Sequence, residues 1–130
     1  MAIPLDAQYY VMYDIMRKGG DPVDAQLKRG ILDACVLTVL RRGESYGYRL
    51  VRDVGELIDV SESTLYPILK RLESGGQVTV RSAEHNGRLR KYYQITPAGE
   101  DRVRAFLDEW RELARVLQKI EAEVERDDEA

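Results

Sequence analysis

Two stretches of the chain concentrate side chains suited to holding a polyanion. The first runs from Ser63 to Arg71 and offers Ser63, Thr64, Tyr66, Lys70 and Arg71 around an apolar stripe. Short hydroxyls near a helix N-terminus suit phosphate oxygens, aided by the unpaired backbone N–H groups there. Lys70 and Arg71 have the length and charge to reach phosphates or guanine edges. The second stretch holds Arg81, His85, Asn86, Arg88, Arg90 and Lys91. Either stretch alone is ordinary solvated surface. Their order along the chain gives them meaning.

Covalent and metal chemistry have no comparable support. Cys35 and His85 are the single cysteine and single histidine and lie 50 residues apart, which leaves no triad, no CxxC pair and no intrachain disulfide. No glycine-rich phosphate loop or metal-spaced cluster occurs. The expectation is a protein that is not an enzyme, with no cofactor and no metal. Cys35, on an apolar helix, reads as an inert buried residue, and His85 as an exposed turn residue.

The elements that would position the two stretches follow from periodicity. Tyr9, Met12, Tyr13 and Met16 share one face of a short helix over 6–18, which Gly19-Gly20-Asp21-Pro22 stops. A core helix is expected over 23–41, apolar on nearly every side from Ile31 to Leu40, and a third helix over 46–55 with Leu50 and Val54 inward. Ser61 caps a fourth helix over 62–73, whose buried stripe is Leu65, Ile68, Leu69 and Leu72. Pro67 removes one backbone donor from that helix near its start, where the cost is lowest. The period then changes to two over 77–81 and 90–95, with Asn86-Gly87 between them as a type I′ hairpin signal. Thr96-Pro97 opens the last helix. There Val103, Phe106, Trp110, Leu113, Leu117, Ile120 and Val124 form a 3–4 heptad seam, widened by Leu107 and Ala114.

Helix, turn, helix and basic hairpin, in that order, make a winged helix-turn-helix. The fold class is mostly α with a two-stranded β-wing, plus a long C-terminal helix. A helix of this kind fits the major groove of double-stranded DNA, and a thin hairpin reaches the adjacent backbone or minor groove. Charge agrees with this division. Of the 130 residues, 1–27 carry 2 basic and 4 acidic side chains, 28–95 carry 12 and 8, and 96–130 carry 6 and 11. A basic middle between acidic ends suits a DNA-facing module attached to helices with another task. No apolar run is long enough to span a bilayer and no signal-peptide pattern opens the chain, so a cytoplasmic location without a membrane partner is expected.

The motifs also resemble a known family. The run Ser63-Thr64-Leu65-Tyr66-Pro67-Ile68-Leu69-Lys70-Arg71-Leu72-Glu73 resembles the "TLYPxLKRLE" recognition helix of the PadR family of transcriptional regulators. Ser45-Tyr46-Gly47-Tyr48-Arg49-Leu50 is similar to its "HGYxI" segment, and the residues from Asn86 to Gly99 to its wing and exit, "GRxRKYYxLTxxG". The likeness covers about Leu27 to Ile120. It implies a homodimeric regulator, usually a repressor, of the compact subgroup with one C-terminal dimerisation helix. It further implies DNA contacts from Ser63, Thr64, Tyr66, Lys70 and the wing at Gly87 and Arg88; Arg71, Asn86 and Arg90 join them on the residue pattern.

The expected organisation is an N-terminal helical extension over 1–22, the winged helix-turn-helix over 23–95, the dimerisation helix over 96–124 and an acidic, frayed tail over 125–130. The extension is longer than the compact pattern requires. Dimerisation is assigned to Val103, Phe106, Trp110, Leu113, Leu117 and Ile120, because a lone helix would leave that seam as an apolar patch. Trp110 is the single tryptophan, at the middle of the seam. It is expected either to fill the core or to line a pocket in which a planar aromatic effector stacks between two indoles. The compact regulators resembled include drug-sensing members with a tryptophan at the matching point. The rival reading is a winged-helix domain used for protein–protein contact only.

Overall fold

The structure, a computed structural model, describes residues 22–129, with side chains from Gln26 onward. The helix expected over 6–18 and most of the 1–22 extension lie outside the described residues. Two compact units are distinguished, Arg29–Arg104 and a second to which 22–28 and 105–129 belong.

Helix α1, Pro22–Leu40, carries Ile31, Leu32, Ala34, Val36, Leu37, Val39 and Leu40, all buried. Burial on nearly every side is what its unbroken apolar centre requires. Helix α2, Gly47–Val54, turns Leu50 and Val54 inward. Helix α3, Glu62–Ser74, is capped by Ser61, whose side chain accepts from the Thr64 N–H. It buries Leu65, Ile68, Leu69 and Leu72, and it runs unbroken through Pro67. These stripes and Val78 form one core.

The sheet has three strands: the expected two-stranded wing and a short strand that the expectation did not include. Strand β1, Ser45–Tyr46, pairs antiparallel with β3, Arg88–Ile95, through Ser45↔Tyr93 and Tyr46↔Tyr92. Strand β2, Val78–His85, pairs with β3 on its other side, giving the order β1-β3-β2. Two residues carry no readable period, and the partner of β1 lies far along the chain, so β1 left no local signal. The β2–β3 hairpin is also longer than expected, from Val78↔Ile95 to His85↔Arg88. Its outer rungs are mostly polar and exposed, so they lack the buried apolar alternation of the inner rungs. Asn86 at φ 51° and Gly87 at φ 80° make the two-residue turn, and both need the left-handed region that Asn and Gly tolerate.

Helix α4, Pro97–Glu129, is capped by Thr96, whose hydroxyl accepts from the Gly99 N–H at 3.2 Å and donates to the Gly76 carbonyl at 2.6 Å. Arg41, just beyond α1, meets Glu100 in the first turn of α4 at 2.8 Å. The helix continues through the acidic residues to Glu129 instead of fraying at Val124. Val103 is buried within the Arg29–Arg104 unit, which corrects its assignment to the dimerisation seam: it is a core residue of the single chain. Further along α4, Phe106 and Trp110 are half-buried and tilted together at 6.0 Å, and Leu107, Leu113, Val116, Ile120 and Val124 stand exposed.

Candidate nucleic-acid interface

Part of the polyanion-suited set lines an open groove of about 990 Å³. Tyr66 of α3 and Tyr46, Gly47 and Tyr48 at the start of α2 form part of its lining. The wing supplies His85, Asn86, Arg88, Leu89, Arg90 and Lys91, with Tyr93 at the base.

At the N-terminus of α3 the hydroxyls of Ser61, Ser63 and Thr64 cluster, with Ser61 Oγ 2.9 Å from Ser63 Oγ and 3.1 Å from Thr64 Oγ1. All three residues are exposed, so the cluster presents acceptors and donors at the N-terminus of the helix. Tyr66 follows on the same face. A Cβ on Gly47 would lie 2.5 Å from the Tyr66 hydroxyl and 2.9 Å from its ring, so Gly47 lets the tyrosine lie against the start of α2. That contact gives the glycine between Tyr46 and Tyr48 a physical purpose. Lys70 is exposed and has no ion-pair partner among the described residues.

Arg71 departs from the outward set. It is paired with Asp33 of α1, and both are partly buried. Burial pushes the Asp33 carboxyl up from its ordinary value, and the Arg71 guanidinium opposes that shift. The arginine therefore fastens α3 to α1, and its outward assignment is corrected.

One face of the wing is a ladder of tyrosines and arginines. Arg90 lies 3.9 Å over the Tyr46 ring. Tyr46 meets Tyr92 edge-on at 6.0 Å, and Arg81 lies 4.6 Å over Tyr92. Arg81 is also clamped by Glu44, with Nε–Oε2 at 2.8 Å and Nη2–Oε1 at 2.5 Å. The clamp holds the Glu44 carboxyl below its usual value. Arg81 is thus neutralised, whereas Arg90 is positioned on an aromatic face with its charge still available. Arg88 and Lys91 are exposed and have no carboxylate partner among the described residues. On the opposite face Tyr93 is buried, and burial raises its phenol above the ordinary value.

The structure brings Tyr66, Asn86, Arg88 and Arg90 to one groove. Ser63, Thr64 and Lys70 stand exposed on α3, Gly87 is at the turn, and Arg71 is drawn away. Sequence reasoning missed Tyr48 and Leu89, which are 71% and 81% exposed and line the groove. Leu89 had left a signal, an apolar residue flanked by arginines on a strand tip. Burial lifts the Cys35 thiol to about 11, which keeps it protonated at neutral pH, in line with an inert residue. No cluster of metal-ligating side chains occurs among the described residues, and no described helix is long and apolar enough to cross a membrane.

Comparison with known proteins agrees with this arrangement. Residues 36–105 match the family model described as the transcriptional regulator PadR-like family. A PadR family transcriptional regulator from Eggerthella lenta is 31% identical, with a TM-score of 0.67, over 87% of this chain and 95% of that one. The negative transcriptional regulator PadR of Bacillus subtilis is 29% identical over 82 residues, which are 59% of this chain and 45% of that protein. The structure of Bacillus subtilis PadR in complex with operator DNA has a TM-score of 0.55 at 28% identity, over 59% of this chain and 46% of that one. The matched region thus spans less than half of the Bacillus subtilis protein.

Proposed function

The chain belongs to the PadR-like family of transcriptional regulators, which are not enzymes, and from that premise we propose that it binds an inverted-repeat operator in double-stranded DNA as a homodimer. Helix α3 enters the major groove, and the β2–β3 wing lies on the flanking backbone and minor groove. The observation that carries this reading is the groove between Tyr66 and the wing, whose cations Arg88 and Lys91 have no carboxylate partner among the described residues and whose Arg90 is held on Tyr46. Ser63, Thr64 and Lys70 hold the α3 side of the duplex, and Asn86 and Gly87 bring the wing tip close to it. The protein acts in the cytoplasm as a repressor, a reading supported by the negative regulator among its relatives.

The test is salt-dependent binding to duplexes enriched from a random pool. Lys70→Ala and Arg88→Ala each weaken binding and lower the slope of log affinity against log salt by about one phosphate contact. Unchanged affinity and slope in both variants would exclude this face. A winged helix used for protein contact alone would show no salt-dependent duplex binding.

A small planar aromatic effector, stacked between the Trp110 side chains of the two protomers, is the proposed signal. It is supported by the half-buried indole beside Phe106 on a helix that leaves apolar residues exposed. Such a ligand changes operator affinity only if it favours one spacing of the two α3 helices. Planar aromatic cations and phenols are expected to quench the fluorescence of the single tryptophan and to release DNA from the wild type but not from Trp110→Ala. Absence of quenching, or release that survives the substitution, refutes the pocket.

A further inference from the structure

We propose that Leu89 is an apolar contact that the wing makes inside the DNA minor groove, and that it gives the protein a preference for A·T pairs there. The inference rests on the duplex-binding reading and goes beyond its phosphate contacts.

Leu89 is 81% exposed, the highest value among the exposed large apolar side chains of the described residues. An exposed leucine is unremarkable by itself. Its placement is the informative part. It sits one residue past the start of β3, between Arg88 and Arg90, and it lines the same groove as both. Strand alternation puts it on the face of Lys91 and the buried Tyr93, but beyond the core that Tyr93 reaches.

Its cross-strand neighbour is Glu84. An acid there repels phosphates, so the β2 side of the tip is the wrong side to face DNA. The β3 side carries Arg88, Arg90 and Lys91. Pairing with β1 ends at Tyr46↔Tyr92, so β3 has no strand neighbour on that side from Arg88 to Lys91. The edge is therefore open, cationic at three positions and apolar at one. The charge complements the paired phosphate rails of a duplex, and Leu89 follows Arg88 and precedes Arg90 along that edge, with its side chain on the face of Lys91.

The minor groove is the place where such a side chain fits. It is roughly 6 Å wide, its walls are the C–H faces of deoxyribose, and apolar side chains are used there by other architectures. Its floor is flat at A·T pairs, but at G·C pairs the guanine 2-amino group projects into it. A leucine packed on the floor is obstructed by that amino group and cannot satisfy it.

The experiment uses the full chain and duplexes enriched from a random pool by the wild-type protein. Pairs covered by the wing are converted in turn to A·T, G·C and inosine·C. Inosine lacks the 2-amino group but keeps the major-groove face of guanine. Wild type is expected to bind A·T and I·C duplexes alike and G·C duplexes about fivefold more weakly. Leu89→Ala loses about five- to tenfold in affinity for the A·T duplex, as removal of a partly buried leucine contact implies. Its salt slope stays unchanged, and the difference between I·C and G·C disappears. Leu89→Met, which keeps an apolar side chain of similar size, retains the difference. Equal discrimination by wild type and Leu89→Ala overturns the inference while leaving salt-dependent duplex binding in place. Absence of salt-dependent binding by the wild type overturns both.

Discussion

On the proposed homodimer, Leu113→Asp combined with Leu117→Asp is expected to leave a monomer and to weaken binding to an inverted repeat by about a hundredfold or more. In the single chain Leu113 is 40% exposed, Ile120 54% and Val124 53%. They fall with Phe106, Trp110 and Leu117 at heptad spacing on α4, flanked by exposed Leu107 and Val116. Fully burying one leucine contributes about 1.5–3 kcal/mol, and two-fold symmetry counts every contact twice. Two aspartates per protomer remove that gain and place four carboxylates in an apolar interface. The acidic flanks Glu109, Glu121 and Glu123 offer them no counterion. DNA affinity falls because the second half-site is then no longer held at high effective concentration, a factor of about 10²–10⁴. Light scattering reads the first effect and titration of the enriched duplex the second. A soluble dimer of unchanged affinity would show that the exposed face of α4 has another purpose.

The expectations that held were carried by local chemistry. Ser61 and Thr96 are caps because each is a hydroxyl residue immediately before a helical run, and both accept the expected backbone N–H. Asn86-Gly87 needs no tertiary information, since few residue pairs accept two positive φ values in succession. The stripe Leu65, Ile68, Leu69, Leu72 follows from the helical repeat alone.

The misses were carried by partners distant in sequence. β1 exists only because Tyr92 and Tyr93 come to lie beside Ser45 and Tyr46. Arg71 stands three residues after Ile68 and one before Leu72, at the border of the buried stripe, and Asp33 of α1 decides which way it turns. Arg81 has the type and strand position of the other wing cations, but Glu44, just before β1, pairs with it. Val103 continues the heptad spacing, but the start of α4 packs on the winged helix, which puts its second turn inside the core. In each case the residue type was legible, and its partner was not.

Glycine gives the second large effect, because two helical glycines of this chain are expected to respond to alanine with opposite signs. Gly99 lies in the first turn of α4, and a Cβ there would strike the Gln77 carbonyl at a distance no real Cβ adopts, and Ile95 Cγ1 at 2.7 Å. The carbonyl cannot retreat, because it accepts the Thr96 N–H at 3.0 Å at the point where α4 leaves the sheet. Thr96 in turn binds the Gly76 carbonyl and caps Gly99, so a shift of Gln77 disturbs the whole junction. Among the described residues, Gly30, within α1, has only the end of the Arg102 side chain near its added Cβ, at 3.9 Å. Overpacking against backbone costs about 1–3 kcal/mol or more, and the gain in helix propensity from Gly to Ala recovers at most about 1 kcal/mol. Gly99→Ala is therefore expected to lose about 2 kcal/mol, which lowers Tm by roughly 10 °C in a domain of this size. Gly30→Ala gains up to about 1 kcal/mol, since no described atom lies close enough to oppose the propensity term. Denaturant midpoints at one fixed protein concentration read both values. If Gly99→Ala proved as stable as the wild type, the close approach of α4 to Gln77 would be wrong, and with it the reason for a glycine at the wing's exit.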